Sequence, residues 1–335
     1  MKNTRSAGFR RIVAHMRQFG SVGRRRIGLV AIGATTMAAA PELEMPPPEP
    51  QEEVEVTPGA DAEPALRRLP DARHPRIDSW VSYYSNGDRA AFEAQMRRRA
   101  RYESLILEEL SEQGLPPDLI YLAWIESGFL PAVESHAGAV GLWQFMPATA
   151  RWMGLRVDDV VDERRDPVRS TEAAVEFLHR LHRRYGSWHL ALAAYNGGPT
   201  RVSRIVRHHA RGPWGHESQY WQVLEHLPQE TGQYVPRFLA VRALAESMEA
   251  NGFDASGEPP YAYSLVWVDR SWSFAGIAEA TGLTVEVLRE LNPHLIADRT
   301  PTGGGPYPLR VPEGSSIRVA SRLARPDRTW AMADD

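Results

Sequence analysis

From Asp88 to about residue 250 the apolar residues of this chain recur at helical spacing, and no stretch before residue 260 alternates convincingly with the period of two that a half-buried strand needs. From Asp88 to Glu112, Phe92, Met96, Leu105, Ile106 and Leu110 lie on one face with Arg and Glu between them, which predicts a long amphipathic helix. "GLPPD" ends it, because Gly114 suits a helix C-terminus and Pro116 or Pro117 suits the first turn of the next helix. Further helices are predicted at about 146–153, 170–185, 188–196, 199–209 and 232–250. The middle of the chain is therefore expected to be all-α.

From Tyr261 the texture changes. "YAYSLVWV" alternates like a strand, helical stretches follow near 273–281 and 284–291, and "YPLRVP" reads as a second short strand. That order predicts a small βααβ domain of its own, able to fold independently, over about 260–314, with 315–335 as a tail. The larger helical domain is expected over 77–250.

The N-terminal part is built differently. The first 26 residues carry Lys and Arg but no Asp or Glu, and "IGLVAIGATTMAAA" from Ile27 to Ala40 follows. That apolar stretch is shorter than the roughly 20 residues a spanning helix needs, and it ends in small residues resembling a cleavage site. We expect 1–40 to be an export signal, or an N-terminal membrane tether where it is retained, and the protein to work in the periplasm or cell envelope. Residues 41–76 begin with "PELEMPPPEPQEEVEVTPGADAEP", too rich in Pro and Glu to bury much surface, and are expected to be a disordered spacer. The net charge is -3, from 39 basic and 42 acidic residues, so no global field points to nucleic acid. With no cysteine, disulfides, thiolate zinc sites and cysteine nucleophiles are all excluded.

Within the apolar run "IYLAWIESGFL" stands one acid, Glu126. If a helix starts near Pro117, then Leu119, Leu122, Ala123 and Glu126 fall at i, i+3, i+4 and i+7, so Glu126 points where the core does. Partial burial disfavours a carboxylate and raises its pKa, the requirement for an acid that holds a proton near neutral pH. Gly128 follows closely, so a last-turn Glu turned out to solvent is the alternative.

Four ordered segments accompany it: "IESGFLP", "SHAGAVGLWQFMPATARWMGL", "LALAAYNGGPTRV" and "LPQETGQYVPRFLA". Over about residues 88–250 they resemble the soluble lytic transglycosylase (SLT) family with its goose-type lysozyme-like fold, most closely the membrane-bound D branch. The resemblance implies a mainly α lysozyme-like catalytic domain acting on the glycan strand of peptidoglycan. It implies Glu126 as catalytic acid, and Ser127, Gln144, Phe145, Met146, Tyr195, Asn196 and Tyr234 along the substrate. The residue types fit independently, since sugars offer hydroxyl and acetamido groups beside flat C–H faces and need amides and hydroxyls next to aromatic or thioether surface. Trp143 and Phe145 also read as core residues, and Tyr195 and Asn196 as a helix end capped with Gly197 and Gly198.

Most glycosidases pair two carboxylates. Between Glu134 and Asp158 there is no Asp or Glu, where the resemblance implies that goose-type lysozymes carry supporting aspartates. With one acid, Glu126 would serve in turn as acid and base while the muramoyl C6 hydroxyl attacks C1, giving a 1,6-anhydro end. A hydrolytic muramidase and a non-catalytic glycan-binding envelope protein are the alternatives. No metal or organic cofactor is expected: His179, His182 and His189 lack carboxylate partners at ligand spacing and are read as a solvated, Arg-rich face. Residues 261–312 resemble a degenerate LysM module, chiefly through Asn292-Pro293. Its usual turn is replaced by "VDRSW" and the segment before its last strand by "TPTGGGPYP", so glycan binding and a purely structural role both stay open. Gly303–Gly305 is a turn and not a phosphate loop, since no Lys-Ser/Thr follows.

Overall fold

The computed structural model describes residues 68–253, 256–302 and 305–324. The expected export segment, most of the expected spacer, Gly303 and Gly304 lie outside the described residues. The chain divides into two compact units, one holding 68–154 and 167–260, the other 155–166 and 261–324 of the described residues.

The first unit is all helical among the described residues. In chain order it contains α1 (Pro75–Ser82) with a π turn (Tyr83–Gly87), α2 (Arg89–Glu112), a 3-10 turn (Pro117–Leu119), α3 (Ile120–Ser127), α4 (Pro147–Trp152), α5 (Pro167–Tyr185), α6 (Trp188–Gly197), α7 (Pro199–His209), α8 (Ser218–Val223) and α9 (Gln229–Glu246). Pro75, Pro147, Pro167 and Pro199 each open a helix, where the missing N–H costs nothing and the fixed φ is already helical. Ser187 caps α6 by accepting from Leu190 N. The predicted helices are all present. The sequence reading missed α1 and α8, each too short to show a clear period.

Two expectations fail here. Residues 68–76 are not a free spacer. Leu69 is buried, its N–H donates to Asp118 Oδ2 at 2.9 Å and its carbonyl accepts from Arg242 at 2.8 Å. The buried Asp118–Arg242 pair, 3.2 Å apart, takes these backbone groups as partners, and Arg242 also donates to Asp71, which fixes the strap. Nor is His189 solvated. It is 1% exposed, accepts from the Trp221 indole at Nδ1 (3.2 Å) and therefore donates from Nε2 to Pro70 O (3.2 Å), with burial holding its pKa down. His182 stacks on Trp188 with ring centroids 4.0 Å apart, and His179 is partly exposed.

In the second unit β1 (Tyr263–Val268) pairs antiparallel with β2 (Tyr307–Pro312), in register from Tyr263↔Pro312 to Val268↔Tyr307. Between them run α10 (Phe274–Thr281), capped by Ser273, and α11 (Val285–Leu291), capped by Thr284. This is the βααβ order expected. Asn292, fully buried, ties the end of α11 to β2: its amide donates to Leu288 O and Arg310 O and accepts from Arg310 N at 2.8–2.9 Å.

The unit is larger than the sequence boundaries. Helix α12 (Ser316–Leu323) occupies part of the expected tail, because Val319 and Leu323 complete the core of Val266, Phe274, Ile277, Leu288 and Leu309. Residues 155–166, expected in the helical domain, belong here too. Asp166 receives both oxygens' hydrogen bonds from Arg310 Nη2 at 2.8 Å, and Asp162 N donates to His294 O at 3.3 Å.

Candidate active site

Helix α3 is apolar around its whole circumference, and Ile120 through Ile125 are all buried. Such a helix belongs in a core, so its one acid is carried inward with it. The helix stops at a left-handed turn. Gly128 adopts φ +59°, its N–H donates to Trp124 O at 2.9 Å and Phe129 N donates to Ala123 O at 3.3 Å. Glycine suits the position, since a Cβ there would be strained at this φ and would also meet Gln95 Cγ at 3.0 Å and Arg98 Nη2 at 3.1 Å. This termination leaves Glu126 on the last turn, half-buried, and it does not turn away to bulk water.

The Tyr234 hydroxyl of α9 donates to Glu126 Oε1. Burial dominates the electrostatics and pushes the Glu126 carboxyl up from 4.5 to about 7, with the Glu230 charge adding to the rise. The Tyr234 hydrogen bond and the Arg237 guanidinium act the other way. Tyr195 lies within reach of the same charge, which together with burial holds its phenol well above the usual range. A carboxyl poised near 7 can give up a proton and take one back.

The other expected residues are distributed unequally around it. The Ser127 hydroxyl is engaged by protein, with Leu142 O at 2.9 Å, Ala123 O at 3.1 Å and Leu130 N at 3.3 Å, so it pins the following loop to α3. Gln144 sits in the left-handed region at φ +48°, an unfavourable place for a non-glycine, and its amide donates back to Gly141 O at 2.9 Å. The loop around it closes through single bridges of Val140 to Glu134 and Phe145. Phe145 is buried, 6.3 Å from both the Phe177 and Tyr195 rings, and Trp143 is wholly buried with its indole on Thr171 Oγ1 at 2.9 Å. Met146, partly exposed, precedes α4.

Tyr195 donates to Trp143 O at 2.7 Å, which joins α6 to the Gln144 loop. Asn196 donates to Glu230 at 3.0 Å and accepts from Thr231 at 2.8 Å. Gly197 lets the two helices close, because a Cβ there would fall 2.7 Å from Thr231 Oγ1. The third and fourth segments are thus locked together, and Tyr234, one turn beyond Thr231, is delivered to Glu126. Sequence reasoning missed Glu230 and Arg237. Both lie in the quoted segment "LPQETGQYVPRFLA", and the spacing of 230, 234 and 237 on one helix face was the available signal.

One consequence is testable at this level. In Tyr234→Phe the carboxylate loses a hydrogen bond to its charged form, so Glu126 should titrate above 7, by about one unit. Carbon-detected NMR of the Glu126 carboxyl would read this directly, and an unmoved midpoint would remove the hydroxyl from the account.

Parts of this chain are similar to known proteins. Residues 104–213 match the family described as Transglycosylase SLT domain, and residues 263–328 match the one described as Lytic transglycosylase MltD, LysM-like domain. Membrane-bound lytic murein transglycosylase D of Escherichia coli strain K12 is 32% identical over 230 residues, 68% of this chain and 50% of that protein. The chain thus spans about half the length of that relative. Peptidoglycan transglycosylase gp16 of Escherichia phage T7 is 36% identical over 104 residues, 30% of this chain and 8% of that protein. The crystal structure of the 70 kDa soluble lytic transglycosylase of Escherichia coli superposes with a TM-score of 0.38 at 22% identity. That match covers 52% of this chain and 30% of the other, too loosely to compare sites. The chain carries a mainly α transglycosylase SLT domain, in which Glu126 lies, and a small βααβ domain of the LysM-like kind found in lytic transglycosylase D.

Proposed function

We propose that this protein is a peptidoglycan lytic transglycosylase that cleaves the β-1,4 bond between N-acetylmuramic acid and N-acetylglucosamine and leaves 1,6-anhydromuramoyl ends. The observation that carries the reading is a single half-buried carboxyl, Glu126, raised to about 7 and held by Tyr234 at the end of an apolar helix.

The chemistry follows from that pKa. Protonated Glu126 gives its proton to the bridging oxygen as the C1–O bond breaks, and the muramoyl acetamido oxygen bonds to C1. The resulting carboxylate takes the proton of the C6 hydroxyl, whose oxygen then displaces the acetamido oxygen from C1. The proton is returned to Glu126, and no water is consumed. Because the attack is intramolecular, an effective molarity of about 10⁵ M or more stands in for an activated water. Gln144 Oε1 and Met146 are the groups we assign to the sugar. Ser127, Tyr195 and Asn196 act by positioning, since their polar atoms are engaged within the protein.

A hydrolytic muramidase is the second reading, favoured by one observation: the Glu230 carboxylate is close enough to raise Glu126. Two carboxylates can activate water. Against it, Glu230 is engaged by the Asn196 amide. Mass analysis of fragments released from purified murein separates the two. We expect anhydromuramoyl ends, and reducing muramic acid as the sole product would establish hydrolysis.

The reading places the protein in the cell envelope, with the LysM-like unit as a second contact to glycan. The tether assigned to residues 1–40 lies outside the described residues, and no helix among those described is long and apolar enough to cross a membrane.

A further inference from the structure

Arg237 is a half-buried cation in an unusual setting. Its guanidinium lies 5.6 Å from the ring centroids of both Trp80 and Trp124, and its Nε donates to Tyr84 Oη at 2.7 Å. Tyr84 is itself 4% exposed, packs edge-on against Trp124 at 4.8 Å and stacks on Trp80 at 5.7 Å. Among the described residues Arg237 forms no ion pair. Several other helical arginines pair with a Glu one turn away, as Arg180 does with Glu176 at 2.6 Å. Aromatic faces attract a cation, yet desolvating one without a counter-charge is costly unless some other negative group repays it.

A negative group that its charge acts on is Glu126. Arg237 is three residues beyond Tyr234 on α9, hence on the same face, and Tyr234 is bonded to Glu126. Trp124, on which Arg237 rests, is two residues before Glu126 on α3. We propose that Arg237 is a positioning residue whose fixed charge stabilises the Glu126 carboxylate, so that the same group which protonates the leaving oxygen survives as a carboxylate to take the C6 hydroxyl proton. The inference rests on the function proposed above and assigns a charge balance to its site.

The surroundings of Glu126 make this balance specific. From α9 come Tyr234 and Arg237, which favour the carboxylate, and Glu230, which opposes it. From α6 comes the neutral phenol of Tyr195. On the elements packed against α3 the charged groups are engaged elsewhere, Arg98 of α2 donating from Nε to Gly128 O at 2.7 Å and Asp118 of the 3-10 turn pairing with Arg242. Burial raises Glu126, and the Tyr234 hydrogen bond and then the Arg237 charge offset part of that rise, Arg237 being the cation among them.

The test is a titration in three variants of the full chain. In Arg237→Met the charge is lost with little change in side-chain length, and the Glu126 midpoint should rise from about 7 by about one unit, seen by NMR of its carboxyl. The alkaline limb of the kcat/KM profile should move up equally, while kcat falls and KM stays level. Arg237→Lys, which keeps a charge, should restore the midpoint. Tyr84→Phe, which frees the guanidinium without removing it, should shift the midpoint by a smaller amount, and it carries the test if Arg237→Met does not fold. An unchanged Glu126 midpoint overturns the proposal. So does a raised KM for peptide-bearing glycan with the titration unmoved, which would make Arg237 a contact to a substrate carboxylate. The NMR titration needs no turnover, so it stands apart from failure of the proposed activity.

Discussion

Glu126→Gln abolishes nearly all release of soluble fragments from murein while leaving the fold intact. The amide keeps the shape of the side chain and can still accept from Tyr234, yet it cannot donate a proton with the strength of a carboxylic acid. General acid catalysis contributes about 10² to 10⁴ in rate. In the proposed reaction one residue serves both half-steps, so the loss should reach or exceed the upper figure. Stability moves the other way. The native carboxyl titrates near 7 against 4.5 when unfolded, so between those values the unfolded chain releases a proton the native state keeps. The contribution of Glu126 to wild-type stability therefore falls as pH rises from 4.5 through 7, and it stays lowered above. The glutamine lacks this penalty, so its melting temperature should equal the wild type's at pH 4 and exceed it at pH 8. Digestion within about tenfold of wild type would remove Glu126 from the mechanism.

Asp166→Ala unfolds the smaller unit. Arg310 is 1% exposed and Asp166 2%, and the pair shares its cavity with His294 and, through the guanidinium, with the Tyr263 ring at 5.0 Å. Removing one partner of a buried pair costs about 3–5 kcal/mol, because the other charge is left in an apolar surround. Whole domains have only about 5–15 kcal/mol to lose. Hydrogen exchange across 263–323 in the full-length variant would report it, and protection within about 1 kcal/mol of wild type would contradict the role given to the pair. Asp166→Leu combined with Arg310→Met should recover much of the loss. For the same reason a fragment of 258–316, which omits Asp166 and most of α12, should not fold alone, contrary to the boundary read from sequence. Acid weakens this unit too. Burial holds His294 at about 4 against an ordinary 6.5, so the unfolded chain binds an extra proton between those values and stability is lost as pH falls through that window.

The sequence alone determined the helices of the first unit, the βααβ order of the second and the acid to watch. Each is written in local pattern: a period of 3.6 residues, a period of two, prolines at first turns, and one charge in the run "IYLAWIESGFL". Short elements such as α1 and α8 were not legible, because one or two turns carry too few apolar positions to define a face. The tertiary structure decided which polar atoms are free. Ser127, Tyr195 and Asn196 look alike in sequence as candidates for sugar, yet their hydroxyls and amide are consumed by Leu142, Trp143 and Glu230, partners 15, 52 and 34 residues away. It also decided charge. Glu126 near 7 results from burial, Tyr234, Arg237 and Glu230, and all three of those groups arrive more than 100 residues later on one face of α9. Asp166 lies between two helices of the larger unit in the chain, yet its charge is answered by Arg310, 144 residues on. Periodicity reports which face of an element is buried; it carries no information about what that face meets, since desolvation and Coulomb energy depend on distances that only packing fixes.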